Sequence, residues 1–240
     1  LVELQQEASI NLQKEQYFSR LSMLHSVDGL ETSQYKMEHP NRNSKSWSSD
    51  YGTHGFHRYV GRFPSHLIRA LINAFGATAE DIVLDPFCGS GTFPIEAAMI
   101  AANIAPGLNR DFTAESWSGI IPKKEWYEAV TEANDMVNTN IETDIQGYDL
   151  DGDVIKIARR NAENAGVANL IHFQQRDVAK LSHPKKYGFI ITNPPYGERL
   201  EEKEALPAIY SALGRQFAQL DSWSAYVITS YQDIEKYFGR

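Results

Sequence analysis

The sequence predicts a doubly wound α/β fold built on a parallel sheet. Three observations carry that expectation. From Asp81 onward, short apolar runs bounded by turn residues alternate with longer amphipathic segments, the sequence form of strand–helix repetition. A glycine turn, DPFCGSGT (85–92), joins the first of these strands to the first of these helices. Acids (Asp85, Asp149 and Asp177) stand at the ends of three successive strand-like runs.

The elements follow in order. Residues 1–24 read as a helix from the spacing of Leu4, Ala8, Leu12, Tyr17, Phe18 and Leu21. Residues 25–56 are rich in Ser, Asn, Gly and His and read as an irregular connection. Pro64 suits the first position of a helix, where its missing N–H costs little. That helix runs to about Phe75, with Leu67, Ile68, Leu71 and Ile72 on one face. DIVLDPF (81–87) reads as a buried strand, 91–102 as an apolar helix and 123–140 as a longer amphipathic helix. DIQGYDLD (144–151) is a strand with an acidic end, followed by a helix over 152–165. LIHFQQRD (170–177) and GFIITNPP (188–195) are strands, and 203–219 a helix. WSAYVITS (223–230) is a fifth strand, followed by a short helix at 231–238. This divides the chain into an N-terminal helix and extension (1–50) and one globular domain (51–240).

Composition narrows the function classes. The chain has 240 residues, 42% of them apolar, which suffices for a sizeable core. A mean hydropathy of -0.42 and the lack of a long apolar run exclude a membrane-spanning helix. The opening residues lack the pattern of a secretory leader. A single cysteine, Cys88, excludes an internal disulfide and a multi-cysteine zinc site, so a reducing cytoplasm is the expected location. The net charge of -8 argues against a protein that coats nucleic acid with its whole surface. The charge is uneven: residues 1–80 carry 8 basic and 8 acidic side chains, and residues 81–240 carry 15 and 23. A polynucleotide is therefore repelled least by the first third.

Gly89 and Gly91 allow a tight turn and close approach of a ligand to the backbone, at the opening of a helix whose N–H groups face the same crevice. The turn is not a phosphate-binding Walker loop, since no Gly-Lys-Ser/Thr follows, and it lacks the G-x-G-x-x-G spacing of a dinucleotide site. An acid at the strand end, Asp85, disfavours pyrophosphate and suits a ligand bearing an ammonium and a sulfonium. Asp149 closes the second strand, where a carboxylate accepts from ribose hydroxyls. Asp177 closes the third, where it can accept from the exocyclic amine of an adenine. Together with Pro86, Thr92, Leu150 and Val178 beside them, these residues describe an adenosine pocket.

The second motif is TNPPYGERL (192–200). Two prolines end the strand and stiffen the chain. Asn193 offers a side-chain carbonyl, Pro194 a backbone carbonyl and Tyr196 an aromatic face, with Pro195 completing the rigid turn. This set suits a planar base with an exocyclic amine: two carbonyls accept its N–H groups while the ring stacks on tyrosine. Such acceptors favour the positive charge that grows on an amine nitrogen as it is methylated. Much of the rate then comes from positioning, and no strong base is required.

DPFCGSGT together with NPPY resembles the class I S-adenosylmethionine-dependent amino-methyltransferases, a Rossmann-like group acting on exocyclic nitrogens of adenine, cytosine or guanine in DNA and RNA. Over about residues 81–238, FPIEAAMIAANIAPGLNRDFTAESW, GYDLDGDVIKIARRNAENAG and TNPPYGERL resemble the THUMP-associated 23S rRNA guanine-N2 methyltransferases. The resemblance implies S-adenosylmethionine as cofactor, with S-adenosylhomocysteine as product. It implies Asp85, Gly89, Gly91, Asp149 and Asp177 as cofactor ligands, and Asn193, Pro194 and Tyr196 as the base clamp. It also implies a nucleic-acid partner, rRNA before DNA. Residues 1–50 are too short for the THUMP domain of that family.

A second likeness pulls the other way. THGFHRYVGRFPSHLIRALI (53–72) resembles the lead-in of DNA amino-methyltransferases, which implies that Phe63 and Pro64 line the cofactor's methionine end and that Thr53, His54 and Tyr59 border it. The class I fold usually has seven strands, the last two forming a hairpin. Five are counted here, so the C-terminal hairpin is expected to be lacking. The alternatives are guanine-N2 methylation of 23S rRNA, adenine-N6 or cytosine-N4 methylation of DNA, and a non-catalytic cofactor-binding fragment.

The remaining candidates are modest. His54, His57 and His66 have no acid at ligand spacing, so no metal is expected. Cys88 is expected to pack against the sheet. Arg58, Arg62 and Arg69 are candidate phosphate contacts, and Glu198 and Arg199 form either an ion pair or a substrate contact. Trp117 and Trp126 are expected to be packing residues.

Overall fold

The computed structural model describes residues 26–27, 30–31, 65–108, 111–117, 119–197 and 200–239. The helix expected over 1–24 and residues 53–64 lie outside these, and with them Thr53, His54, His57, Arg58, Tyr59, Arg62, Phe63 and Pro64. Glu198 and Arg199 do so as well.

Five parallel strands form the sheet: β3 (Ile82–Asp85), β4 (Asp144–Asp149), β5 (Ile171–Gln175), β6 (Gly188–Thr192) and β7 (Trp223–Val227). Their spatial order is β5-β4-β3-β6-β7. The chain winds outward from β3 to one edge and then returns to start again on its other side. The reversal between β3 and β6 is a topological switch point, where ligands of open α/β sheets bind at the strands' carboxyl ends.

Helices cover both faces. On one lie α1 (Ser65–Phe75), α2 (Thr92–Ala101) and α4 (Gly152–Asn164), contributing Leu71, Ile95 and Ala158 to a core with Val83, Ile145, Phe173 and Ile191. On the other, α5 (Leu200–Phe217) and α6 (Ile234–Phe238) bring Leu213, Phe217 and Phe238 against Ile82, Leu84, Tyr148 and Ile190. Adjacent residues of β3 and β6 alternate between the two cores, as a pleated strand buried on both faces requires. α2 is buried from Phe93 to Met99, being sandwiched between the sheet and α1. Its Pro94 sits in the first turn, where the missing N–H removes no helical bond.

Four expectations need correction. Within the stretch read as irregular, β1 (Ser26–Val27) and β2 (Leu30–Glu31) pair antiparallel. Two-residue strands are too short for periodicity to reveal, although Asp28-Gly29 between them is a hairpin signature. The helix expected to reach 140 is α3 (Lys123–Asp135), and none of its residues is buried. Its apolar spacing therefore marks no core-facing stripe. Trp117 does not pack inside: it is 52% exposed. Trp126 does find a partner, meeting the Phe112 ring edge-on at 5.7 Å. Arg69 is committed inside the fold, as described below.

Elsewhere the elements fall within a few residues of expectation. β7 is one of the two sheet edges among the described residues, β5 being the other, and its Tyr226 stacks on Phe75 of α1 with ring centroids 3.8 Å apart. No described helix is long and apolar enough to cross a membrane.

Packing is tight where α2 enters the sheet. A side chain at Gly147 of β4 would place its Cβ 2.6 Å from the Phe173 ring and 3.1 Å from Pro94 Cγ. Gly147→Ala is therefore expected to destabilise the domain by about 1–3 kcal/mol through overpacking. A lowered urea midpoint with unchanged slope would show it, whereas an unchanged midpoint would mean that Phe173 yields freely.

Candidate active site

The glycine turn is built by its own backbone and by neighbouring strands. Gly89 and Gly91 have φ of 52° and 91°, the left-handed region that disfavours other residues. Gly91 N–H donates to Cys88 O at 2.7 Å, and Cys88 N–H donates to Tyr148 O at 2.8 Å. Cys88 is buried in the core, as expected. Burial pushes its thiol pKa well up, helped by the nearby charges of Asp85 and Asp149. Asn161 of α4 donates its amide to Ser90 O at 2.9 Å, securing the turn from below.

Of the strand-end acids, Asp85 and Asp149 bond to this turn, and Asp177 caps a turn of its own. Asp149 accepts from Gly89 N–H at 3.1 Å through Oδ2 and from Asp151 N–H at 3.0 Å through Oδ1. Its pKa is raised, mainly by burial, against the lowering effect of those N–H bonds. Leu150 follows, 68% exposed. Asp177 lies two residues past the end of β5, not on the strand, and caps the short turn Val178–Lys180 by accepting from Ala179 N–H at 2.8 Å. Arg176 N–H donates to Asp149 O at 2.8 Å, which draws the chain before Asp177 toward the end of β4.

Asp85 is the most deeply placed of the three, 1% exposed. Its Oδ1 accepts from Thr192 Oγ1 at 2.5 Å and from Phe87 N–H at 3.0 Å. Its Oδ2 is buried without a hydrogen-bond partner among the described residues. Burial drives its pKa up to about 7, against the lowering effect of the two donors. Pro86 beside it is buried and Thr92 opens α2.

Thr192 also places the second motif, because Asn193 follows it directly. Thr192 O accepts from Ile228 N–H at 2.9 Å, just beyond β7. Pro194 is buried, while Pro195 and Tyr196 are half-buried. Pro195 O accepts from Tyr210 Oη at 3.1 Å, and the same hydroxyl meets Thr229 Oγ1 at 2.6 Å. Tyr210, from α5 and fully buried, is a brace that sequence reading missed. Its signal was a phenol at a core-facing helix position, since a buried hydroxyl needs a partner. Asn193 Oδ1 is buried with no hydrogen-bond partner among the described residues. A buried acceptor left open in this way is costly unless a ligand completes it.

The structure therefore gathers Asp85, Pro86, Gly89, Gly91, Thr92, Asp149 and the Asn193–Tyr196 turn around the switch point. It does not add Arg69, which lies 3.5 Å from buried Glu96 and donates to Ile104 O at 3.1 Å. An arginine tied between α1 and the end of α2 is not available to phosphate. An open groove of about 650 Å³ along α3 belongs to another part of the molecule, since Asn138 N–H binds Ala102 O at the far end of α2.

A cofactor fits this turn on two local grounds. A Cβ built on Gly89 meets nothing within 4 Å, so the backbone there is open to a ligand. The bare oxygen of Asp85 is an acceptor suited to a cation. Fold and crevice together define a Rossmann-like methyltransferase domain. The family described as the RMKL-like methyltransferase domain matches residues 58–240, and the chain belongs to it.

Among its relatives is ribosomal RNA large subunit methyltransferase K/L of Shewanella baltica, 42% identical over 170 residues, which are 69% of this chain and 24% of that protein. A Listeria monocytogenes crystal structure described as a predicted N6-adenine-specific DNA methylase is 40% identical, with a TM-score of 0.72 over 77% of this chain and 48% of that one. The crystal structure of SMU.472 in complex with SAH is 38% identical, with a TM-score of 0.71 over 76% of this chain and 48% of that one. The chain thus spans about half the length of these solved structures and a quarter of the Shewanella enzyme.

Proposed function

We propose that residues 51–240 form the catalytic domain of an enzyme that methylates an exocyclic amine of a nucleobase, guanine N2 of 23S rRNA, in the cytoplasm. The observation that carries the reading is the bare, buried Oδ1 of Asn193 in a proline-stiffened turn, next to the residue that binds Asp85. S-adenosylmethionine, when bound, supplies an electrophilic methyl group on a sulfonium. Asp85 and the Gly89–Gly91 turn would hold its methionine end, together with Phe63 and Pro64. Asp149 would accept from the ribose and Asp177 from the adenine amine, with Leu150 and Val178 flanking the adenine ring. The exposure of Leu150 directly after Asp149 supports an apolar contact waiting for a flat partner.

Asn193 and Pro194 would accept from the target amine while Tyr196 stacks on its ring. Acceptors aimed at that nitrogen stabilise the charge that develops on it. The Tyr210 bond to Pro195 O holds the turn rigid, and rigidity is what a positioning mechanism requires. The likeness to methyltransferase K/L favours rRNA. The description of the Listeria structure favours the adenine-N6 form of the second reading, DNA methylation at adenine N6 or cytosine N4, for which a duplex target must be flipped out.

One assay separates these readings. Protein with methyl-labelled S-adenosylmethionine is offered rRNA and DNA, and the products are digested to nucleosides. Label in N2-methylguanosine is the expected result. Label in N6-methyladenine or N4-methylcytosine transfers the assignment to DNA. Cofactor binding without label in any nucleic acid leaves the non-catalytic module.

A further inference from the structure

β3 and β6 are in register only through Val83↔Phe189 and Leu84↔Ile190. Beyond that point, a side-chain bond spans the opening: Thr192 Oγ1 to Asp85 Oδ1, between residues 107 apart in sequence. Both residues are buried, Thr192 at 0% and Asp85 at 1% exposure. Thr192 is itself fixed through its carbonyl by Ile228 N–H. Packing alone does not demand this hydroxyl, because valine has nearly the same shape. Its chemical effect falls on Asp85: with Phe87 N–H it occupies Oδ1, and Oδ2 is left without a partner among the described residues.

We infer that Thr192 is a positioning residue, whose hydroxyl holds the Asp85 carboxylate with one oxygen free for the cationic end of S-adenosylmethionine, and which ties that carboxylate to the base-clamping turn. The inference rests on the reading of Asp85 as a cofactor ligand. Among the described residues, the titratable groups facing Asp85 are Asp149 from β4 and the Cys88 thiol of the glycine turn, and neither is a cation. Burial and Asp149 favour the neutral acid, while the donors Thr192 and Phe87 N–H favour the carboxylate. A bound cation favours it too, so Thr192 acts on the same side as the ligand.

The test is S-adenosylmethionine affinity measured by calorimetry from pH 5.5 to 8.5 for the wild type, Thr192→Val, Thr192→Ser and Asp85→Asn. In the wild type, affinity should rise with pH and level off above a midpoint near 7. Thr192→Val should move that midpoint upward by about one pH unit, the effect of one lost hydrogen bond to a charged group, and weaken binding at pH 7 by about fivefold. Thr192→Ser, which keeps the hydroxyl, should restore the wild-type midpoint. The ligand's own titration is common to all four proteins and cancels in the comparison. If Thr192→Val fails to fold, Thr192→Ala takes its place with the same expectation. A hydroxyl-free variant with the wild-type midpoint overturns the role of Thr192. If Asp85→Asn keeps wild-type affinity and pH dependence, the reading of Asp85 as a cofactor ligand falls instead.

Discussion

Asn193→Ala is expected to lower kcat by about 10²–10³, with cofactor affinity within about threefold of wild type. The expectation follows from where the amide stands. Its Oδ1 is buried and makes no hydrogen bond to any of the described residues. Its removal should therefore not lower the melting temperature by the amount a buried polar deletion usually costs. Relief of an unsatisfied acceptor, worth about 1–3 kcal/mol, opposes the lost packing. In the proposed reaction the same atom would gain a partner, the amine of the target base, and the bond would matter most as positive charge builds on nitrogen. Loss of an interaction that is stronger in the transition state than in the ground state lowers kcat and kcat/KM together. Turnover by the alanine variant at the wild-type rate would remove Asn193 from the chemistry and leave the turn a structural feature.

The parts of this site legible in the sequence were those coded locally. A four-residue apolar strand ending in an acid and two glycines announces a strand–turn–helix, and β3, the turn and α2 lie where DPFCGSGT puts them. Two prolines after GFII stop a strand, and β6 ends at Thr192 just before Asn193. What stayed hidden are pairings set by topology rather than by spacing. Nothing near Thr192 in the chain signals that its hydroxyl will find Asp85. Only the switch between β3 and β6 brings them together. Arg69 looked like a phosphate ligand because it stands near the presumed substrate mouth, yet the approach of α1 to α2 pairs it with a buried Glu96. Asp177 looked like a strand end because β5 has no sharp stop signal, and it became a cap instead. The exposure of α3 was hidden for the opposite reason: a helical period shows that a stripe exists, not that anything covers it.

Asp85→Asn is expected to stabilise the cofactor-free protein at pH 8 while weakening S-adenosylmethionine binding by at least tenfold. Burial is the main cause that lifts the folded pKa of this carboxyl from its ordinary 3.8 to about 7. Between these values the folded state holds the proton more tightly than the unfolded state does. Stability therefore falls as pH rises from about 4 to 7, and above 7 the full penalty of a buried carboxylate remains. Asparagine never ionises, and its carbonyl still accepts from Thr192 and Phe87. The gain should be absent below pH 4, grow through the interval, and level off above 7. Its size is about 1–2 kcal/mol, once the unpartnered amide N–H groups of asparagine are set against the relieved charge. Thermal melts of both proteins across pH 4–8 measure it directly, and parallel curves at every pH would show that Asp85 does not titrate in this window. Ligand should reverse the ranking. The positive charge of S-adenosylmethionine neutralises what burial penalises, so saturating cofactor should raise the wild-type melting temperature far more than that of the variant. On the proposed role of Asp85, a carboxylate that weakens the empty domain would act most strongly where the cofactor's cation enters, the trade of stability for function expected at a site built to receive charge.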